Sequence, residues 1–147
     1  MPTEINAIKG DSAANSYATL AEADVYFGDL FGYDDFKYID ISDKKRLLLT
    51  ATKDIEKMSV TAEKQTSTQA LKFPIKDLVD GYEQAKEACL LQAYHLFLNF
   101  STIEEQVSKG ISNTNFNGVK RISSDVYRLL AGFTDSELPF TIKLYRG

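Results

Sequence analysis

The stretch from Asp80 to Phe100 constrains the fold most, because its small and apolar residues recur at helical spacing. It opens with Asp80 and Glu83, an Asp-x-x-Glu pattern typical of a helix start. One face carries Ala85, Cys89, Ala93, Leu96 and Phe100. The small residues in its first half let a neighbouring helix approach closely. We therefore predict that this segment is the central helix of the fold.

Three further helices are predicted, at residues 20–30, 43–58 and 124–131. The first begins with a capping box, in which the Thr19 hydroxyl and the Glu22 carboxylate each accept the other's backbone N–H. Ser42 is the predicted N-cap of the helix at 43–58, and Ser123 or Ser124 is that of the helix at 124–131. The apolar stripes of the first two helices are Ala23, Phe27 and Leu30, and Leu47, Leu48, Ala51, Ile55 and Met58.

The segments between the helices predict an ordered loop, a turn and an extended tail. Residues 31–42 are rich in aromatic and aspartate residues, which indicates a loop that packs its rings on the core. Asn117-Gly118 is a plausible hairpin turn within residues 109–123. The tail alternates apolar and polar residues, with Phe140, Ile142 and Leu144 on one side, as a strand does.

The predicted fold is therefore mainly α: a small bundle of about four helices with a long loop or β-hairpin and a strand-like C-terminal tail. No repeat or linker divides the chain. We interpret residues 1–147 as one domain, with residues 1–18 as an extended leader and residues 134–147 as an extended tail.

The net charge of −4 and the pI near 5.0 disfavour broad, sequence-independent binding to nucleic acid, which requires many Lys and Arg side chains. A local basic patch stays possible. The longest basic run, "DKKR" at 43–46, is interpreted as the solvated face of a helix. The N-terminus lacks the pattern of a signal peptide, and no stretch approaches about 20 apolar residues. We expect a protein that is made in the cytosol and has no membrane partner.

The sequence offers little for catalysis, and we expect no enzyme, no cofactor and no metal site. The single histidine, His95, is interpreted as a packed or surface residue, and the single cysteine, Cys89, as a small buried residue. Asp34, Asp35 and Asp40 could supply oxygen ligands, but the calcium-loop pattern Asp-x-Asp-x-Asp-Gly is missing. We interpret these aspartates as a solvated acidic loop.

Aromatic residues next to basic ones occur at two places, "FKY" (36–38) and "KLYR" (143–146), and this combination suits single-stranded nucleic acid. The first lies among four aspartates, which would repel phosphate. We interpret both as core aromatics with solubilising charges beside them.

The tail is the candidate partner-binding segment, because its apolar side would be wasted in water. The residues concerned are Leu138, Phe140, Ile142, Leu144, Tyr145 and Arg146. The tail can pack on its own domain, pair with a strand of a partner, or thread into another protein.

Four stretches, in order, resemble a family of tailed-bacteriophage head–tail connector proteins, also called neck or adaptor proteins. They are "AANSYATLAEADVYF" (13–27), "LLLTATKDIEKM" (47–58), "QALKFPIKD" (69–77) and "YEQAKEACLLQAYHLF" (82–97). The resemblance covers about residues 12–100. Ile75 stands where the family usually has arginine, and Phe73 where it has tryptophan; a proline that commonly opens the third helix is absent.

The resemblance implies a helical structural protein of the virion that forms a ring, a dodecamer, beneath the portal and extends the DNA channel toward the tail. It implies the portal protein and downstream neck or tail proteins as partners, with genomic double-stranded DNA passing through without sequence-specific binding. We place the two faces of the ring contact at loops 31–41 and 109–123. Some members of the family are also labelled DnaT-like single-stranded-DNA-binding proteins, and such a replication module is the alternative function.

Overall fold

The computed structural model describes residues 3–108 and 120–134. In these residues the chain forms four α-helices and one short 3-10 helix, with two isolated β-bridges and no strand. The elements are α1 (Leu20–Asp29), the 3-10 helix (Asp34–Tyr38), α2 (Ile41–Glu56), α3 (Tyr82–Ser108) and α4 (Ser124–Leu130). The prediction of a mainly α fold with about four helices is confirmed.

Helix α1 begins as the capping box predicts. The Glu22 amide donates to Thr19 Oγ1 at 3.0 Å, and the Thr19 amide donates to Glu22 Oε1 at 2.9 Å. Ala23 and Phe27 are buried, so the predicted stripe points into the core. Leu30 does not continue that stripe: it follows the last helical residue in an extended conformation, and its side chain is exposed.

Helix α2 begins two residues earlier than predicted, because Asp40 and not Ser42 is its N-cap. The Asp40 carboxylate accepts the amide of Ser42 at 3.1 Å. Aspartate and serine are about equally good N-caps, so the first one that the chain places correctly takes the role. Leu48, Ala51 and Ile55 form its buried stripe, as predicted.

Helix α3 is the central helix, since both α2 and α4 pack against it. Ala85, Cys89 and Ala93 are fully buried, which confirms the close approach that small residues predict. The helix runs to Ser108, past the predicted end at Phe100, and Phe100 itself is 44% exposed. At its start, the Asp80 carboxylate accepts the Tyr82 amide at 3.0 Å and not that of Glu83.

The basic run at 43–46 is not wholly a solvated face, and here the prediction was wrong. Lys44 is only 7% exposed. Its ammonium donates to Asp24 Oδ1 at 2.9 Å and lies 4.9 Å from the centre of the Phe36 ring. Lys44 therefore ties α2 to α1 and to the 3-10 helix, because a paired charge over an aromatic face is stable at a nearly buried position. Arg46, two residues on, stays exposed.

The leader folds back on the domain more closely than an extended segment would. Gly10 lies in a turn, and the Asn6 amide donates to Asn15 Oδ1 at 2.8 Å across it. Tyr17 and Ala18 are fully buried. In the loop that follows α1, Phe36 is buried as expected. Phe31 and Tyr38 are exposed, so this loop packs only some of its rings on the core.

The predicted hairpin turn at Asn117-Gly118 and the tail from residue 135 onward lie outside the described residues.

Candidate functional site

The four family-like stretches converge on Tyr17, which explains why they occur together in one fold. The Tyr17 hydroxyl donates to the Glu56 carboxylate and accepts the Phe73 amide at 3.2 Å. Its ring meets those of Phe73 and Tyr82 edge-on, with centroids 6.1 and 6.0 Å apart. Burial raises the pKa of the Glu56 carboxyl, although the hydrogen bonds from Tyr17 and the Lys72 amide oppose that shift. This cluster is buried and holds the fold together, and it offers no open site.

A more accessible group of residues lies on the exposed side of α2 and on the exposed part of the second half of α3. Arg46, Lys53 and Lys57 follow one another at spacings of seven and four residues, so they lie on one stripe of α2. That stripe is exposed and lies opposite the buried stripe of Leu48 and Ile55. We call this region, with Phe97, Phe100 and Arg121, the α2–α3 face.

The buried carboxylate of Asp54 holds the cations at one edge of the α2–α3 face in place. It is 1% exposed, and its carboxylate accepts from Arg121 Nε and Nη2, both at 3.2 Å, and from Gln92 Nε2 at 3.0 Å. The Lys57 ammonium lies 3.9 Å from the same carboxylate. One buried carboxylate thus holds Arg121 against α2 and α3, with Lys57 beside it.

Two aromatic rings lie near Arg46 and Arg121. Phe97 and Phe100 are three residues apart on α3 and are 40% and 44% exposed. The guanidinium carbon of Arg121 lies 5.6 Å from the centre of the Phe100 ring, a cation–π distance. The cavity between these rings and α2 has a volume of about 440 Å³ and is lined by Ile39, Asp43, Arg46, Leu47, Thr50, Leu96, Phe97 and Phe100. Cations beside exposed rings can hold a phosphate backbone while bases stack.

Elsewhere in the described residues, many cations are paired with carboxylates. Such pairs are Lys9–Asp80, Lys44–Asp24, Lys45–Glu4, Lys86–Glu22 and Arg128–Asp125. A carboxylate beside a cation weakens its attraction for phosphate. Arg46, Lys57 and Arg121 of the α2–α3 face also approach carboxylates, so what makes this face a candidate for contact with an anionic polymer is the position of Arg46 and Arg121 beside exposed rings.

A second surface is apolar. Val25 and Leu30 of the α1 region are 63% and 42% exposed, and Phe31 is fully exposed. Leu98 of α3 is 58% exposed and shares a cavity of about 360 Å³ with Phe31. We call these four residues the α1–α3 face. Val25 and Leu30 line a different cavity, of about 570 Å³. Large exposed apolar patches on a surface are typical of protein–protein contact sites.

The six residues of the predicted partner-binding tail, Leu138, Phe140, Ile142, Leu144, Tyr145 and Arg146, lie outside the described residues. Of the predicted loops, 31–41 contributes Phe31 to the α1–α3 face, whereas most of 109–123 is not described.

The single cysteine and the single histidine lie in the helical part of the chain. Cys89 is buried, as predicted, and burial raises the pKa of its thiol. His95 is half-buried, with Nε2 2.6 Å from the Lys120 carbonyl oxygen. Within residues 3–108 and 120–134, no three His, Cys, Asp or Glu side chains are grouped to hold a metal ion, and no helix is long and apolar enough to cross a membrane.

The sequence reasoning missed the α2–α3 face. Its aromatic and basic residues come from three separate segments, α2, α3 and the chain before α4, so no pattern of neighbours along the chain relates them. The recurrence of Arg46, Lys53 and Lys57 at spacings of seven and four residues is the sequence pattern that could have indicated the basic part of this face.

The described residues thus form a small helical fold with one exposed surface that carries cations beside aromatic rings and another that carries apolar side chains. Residues 4–99 match the model of the family described as "Putative DnaT-like ssDNA binding protein". This match spans more than half of the chain, and the chain belongs to that family. It confirms the DnaT-like part of the resemblance, and the connector assignment stays a prediction. No match is found among curated proteins or among solved structures.

Proposed function

We propose that this chain is a structural subunit of a protein assembly, and specifically a head–tail connector of a tailed bacteriophage. In this role it forms a homo-oligomeric ring, a dodecamer, beneath the portal protein and extends the DNA channel toward downstream neck or tail proteins. Genomic double-stranded DNA passes through without sequence-specific binding. The protein is made in the bacterial cytoplasm and ends in the virion.

The observation that carries this proposal is the α1–α3 face. Val25, Leu30, Phe31 and Leu98 expose apolar side chains that a partner would remove from water. Burying such area contributes roughly 25 cal/mol per Å², so a surface of this kind favours association. The resemblance of four ordered stretches to connector proteins supplies the kind of assembly, and the net charge of −4 suits a wall past which DNA must slide.

The copy number in the particle tests the connector role. We expect quantitative mass spectrometry of purified phage particles to find this chain in the same number of copies as the portal protein. Subunits of a ring matched to the portal must be present in that ratio. Absence from the particle, in spite of expression during infection, would reject the proposal.

A tail deletion tests how the subunit attaches. Removal of residues 138–147 is expected to leave the helices folded, because α1 to α4 all lie before residue 131, and to abolish binding to the portal. Circular dichroism reports the first outcome and a portal pull-down the second. Full binding by the truncated protein would show that the tail is not the attachment segment.

Single-stranded-DNA binding is the second candidate function, and the family match supports it more directly than it supports the connector role. The description of the family names this activity, and the α2–α3 face supplies cations and exposed rings for it. It predicts binding to oligonucleotides that weakens steeply as the salt concentration rises, because phosphate contacts release counterions.

A further inference from the structure

We infer that the α2–α3 face is a binding site for single-stranded DNA, with the phosphates along α2 and the bases on Phe97 and Phe100. This inference rests on the second candidate function and locates it on the molecule. It does not depend on the connector role.

The cations form a row of suitable length. Lys57, the C-cap of α2, follows Arg46 by eleven residues. At 1.5 Å per residue the two positions are about 16 Å apart along the helix axis. A strand advances about 3.4 Å per nucleotide in duplex DNA, and an unstacked strand is more extended, so this row accommodates a segment of at most four or five nucleotides. Lys53 lies between the two ends, and Lys57 stands beside Arg121 because both approach the Asp54 carboxylate. A strand that follows α2 thus passes four cations.

The carboxylates on this face oppose the strand only weakly. Asp54 is buried beneath Arg121 and is neutralised by it. Asp43 is half-exposed and is paired with Arg46, so the Arg46 end attracts phosphate less than the Lys57 end does. Among the described residues of this face, Arg46, Lys57 and Arg121 each approach a carboxylate, and Lys53 is exposed on the same stripe of α2.

The rings explain why the ligand is single-stranded. Phe97 and Phe100 lie three residues apart on α3, and both line the cavity beside α2. Each aromatic ring is partly exposed to solvent. A base can stack on the face of such a ring only when it is not stacked within a duplex. Because every base has such a face, the site binds with little sequence preference.

Fluorescence anisotropy of the full chain with a labelled oligo(dT) of about 15 nucleotides, within the usual range of site sizes of about 4–16, tests the site. The triple variant Arg46→Gln, Lys53→Gln, Lys57→Gln is expected to bind at least about tenfold more weakly. The slope of log affinity against log salt should fall by about 2, since each lost phosphate contact removes about 0.7. Phe100→Ala is expected to weaken binding about tenfold, the size of one lost base stack.

A second triple variant controls for net charge. Lys37→Gln, Lys64→Gln and Lys76→Gln remove the same charge from exposed lysines elsewhere, and this variant should bind within about twofold of the unchanged protein. Equal weakening in the two triple variants would overturn the site, as would duplex DNA that binds as tightly as the single strand.

No binding of oligo(dT) at low salt would overturn this inference and the second candidate function together, and the particle copy number would still decide the connector role. Binding that is lost on tail deletion but unchanged in the α2–α3 variants would reject this face alone.

Discussion

Replacement of Asp54 by alanine is expected to lower the free energy of unfolding by about 3 kcal/mol. Asp54 is 1% exposed and accepts hydrogen bonds from Arg121 and Gln92. Loss of one partner of a buried ion pair costs about 3–5 kcal/mol, because the remaining charge stays unpaired. The side chain of Arg121 is 30% exposed and regains some water, which places the cost near the lower end of that range.

Urea denaturation followed by far-UV circular dichroism measures this loss. Asp125→Ala is the matched control, because Asp125 also pairs with an arginine, Arg128, but both side chains are more than half exposed. The control should cost less than about 1 kcal/mol. If Asp54→Ala were no more destabilising than Asp125→Ala, the buried network would not be what joins α2, α3 and the chain before α4.

The Asp54 variant also separates stability from the proposed DNA contact. Arg121 loses the carboxylate that holds it beside Phe100, whereas the stripe of Arg46, Lys53 and Lys57 keeps its place on α2. If the variant is folded at low temperature, it should therefore retain part of its affinity for oligo(dT), with a salt dependence close to that of the unchanged protein.

The helices could be predicted from the sequence because the forces that set them act within three or four residues. The Thr19–Glu22 box, the stripe of Leu48 and Ile55, and the small residues of α3 are all patterns of this range. The exact ends were less predictable, since Asp40 and Ser42 compete as caps with nearly equal energies.

The contacts that shape the surfaces could not be predicted, because they join residues far apart in the chain. The sequence around Lys44 predicts a solvated side chain, but in the folded chain Asp24 of α1 lies beside it. Arg121 is 67 residues from Asp54, and no local pattern relates the two. The α2–α3 face depends on such contacts between distant residues, so it can be recognised only from the packed structure of α2 and α3.

The turn before α3 gives the second large effect: Gly81→Ala is expected to lower the free energy of unfolding by about 3 kcal/mol. Gly81 has φ of +72°, a conformation that costs an L-residue about 1–2 kcal/mol. A Cβ atom there would also lie 2.8 Å from Cε1 of Phe73, a fully buried ring that belongs to the Tyr17 cluster. Overpacking of this kind adds about 1–3 kcal/mol.

Two other glycines separate the two causes in the same denaturation assay. Gly10 has φ of +77° but nothing within 4 Å of a Cβ position, so Gly10→Ala should cost only the backbone term, about 1 kcal/mol. Gly28 lies inside α1, has no positive φ and has nothing within 4 Å of a Cβ position. Because alanine favours a helix more than glycine does, Gly28→Ala should stabilise the protein by about 0.5–1 kcal/mol. The difference between Gly81→Ala and Gly10→Ala then measures how firmly Phe73 is held. Equal costs would mean that the ring moves aside freely, and the Tyr17 cluster would not be the rigid centre on which the four family-like stretches converge.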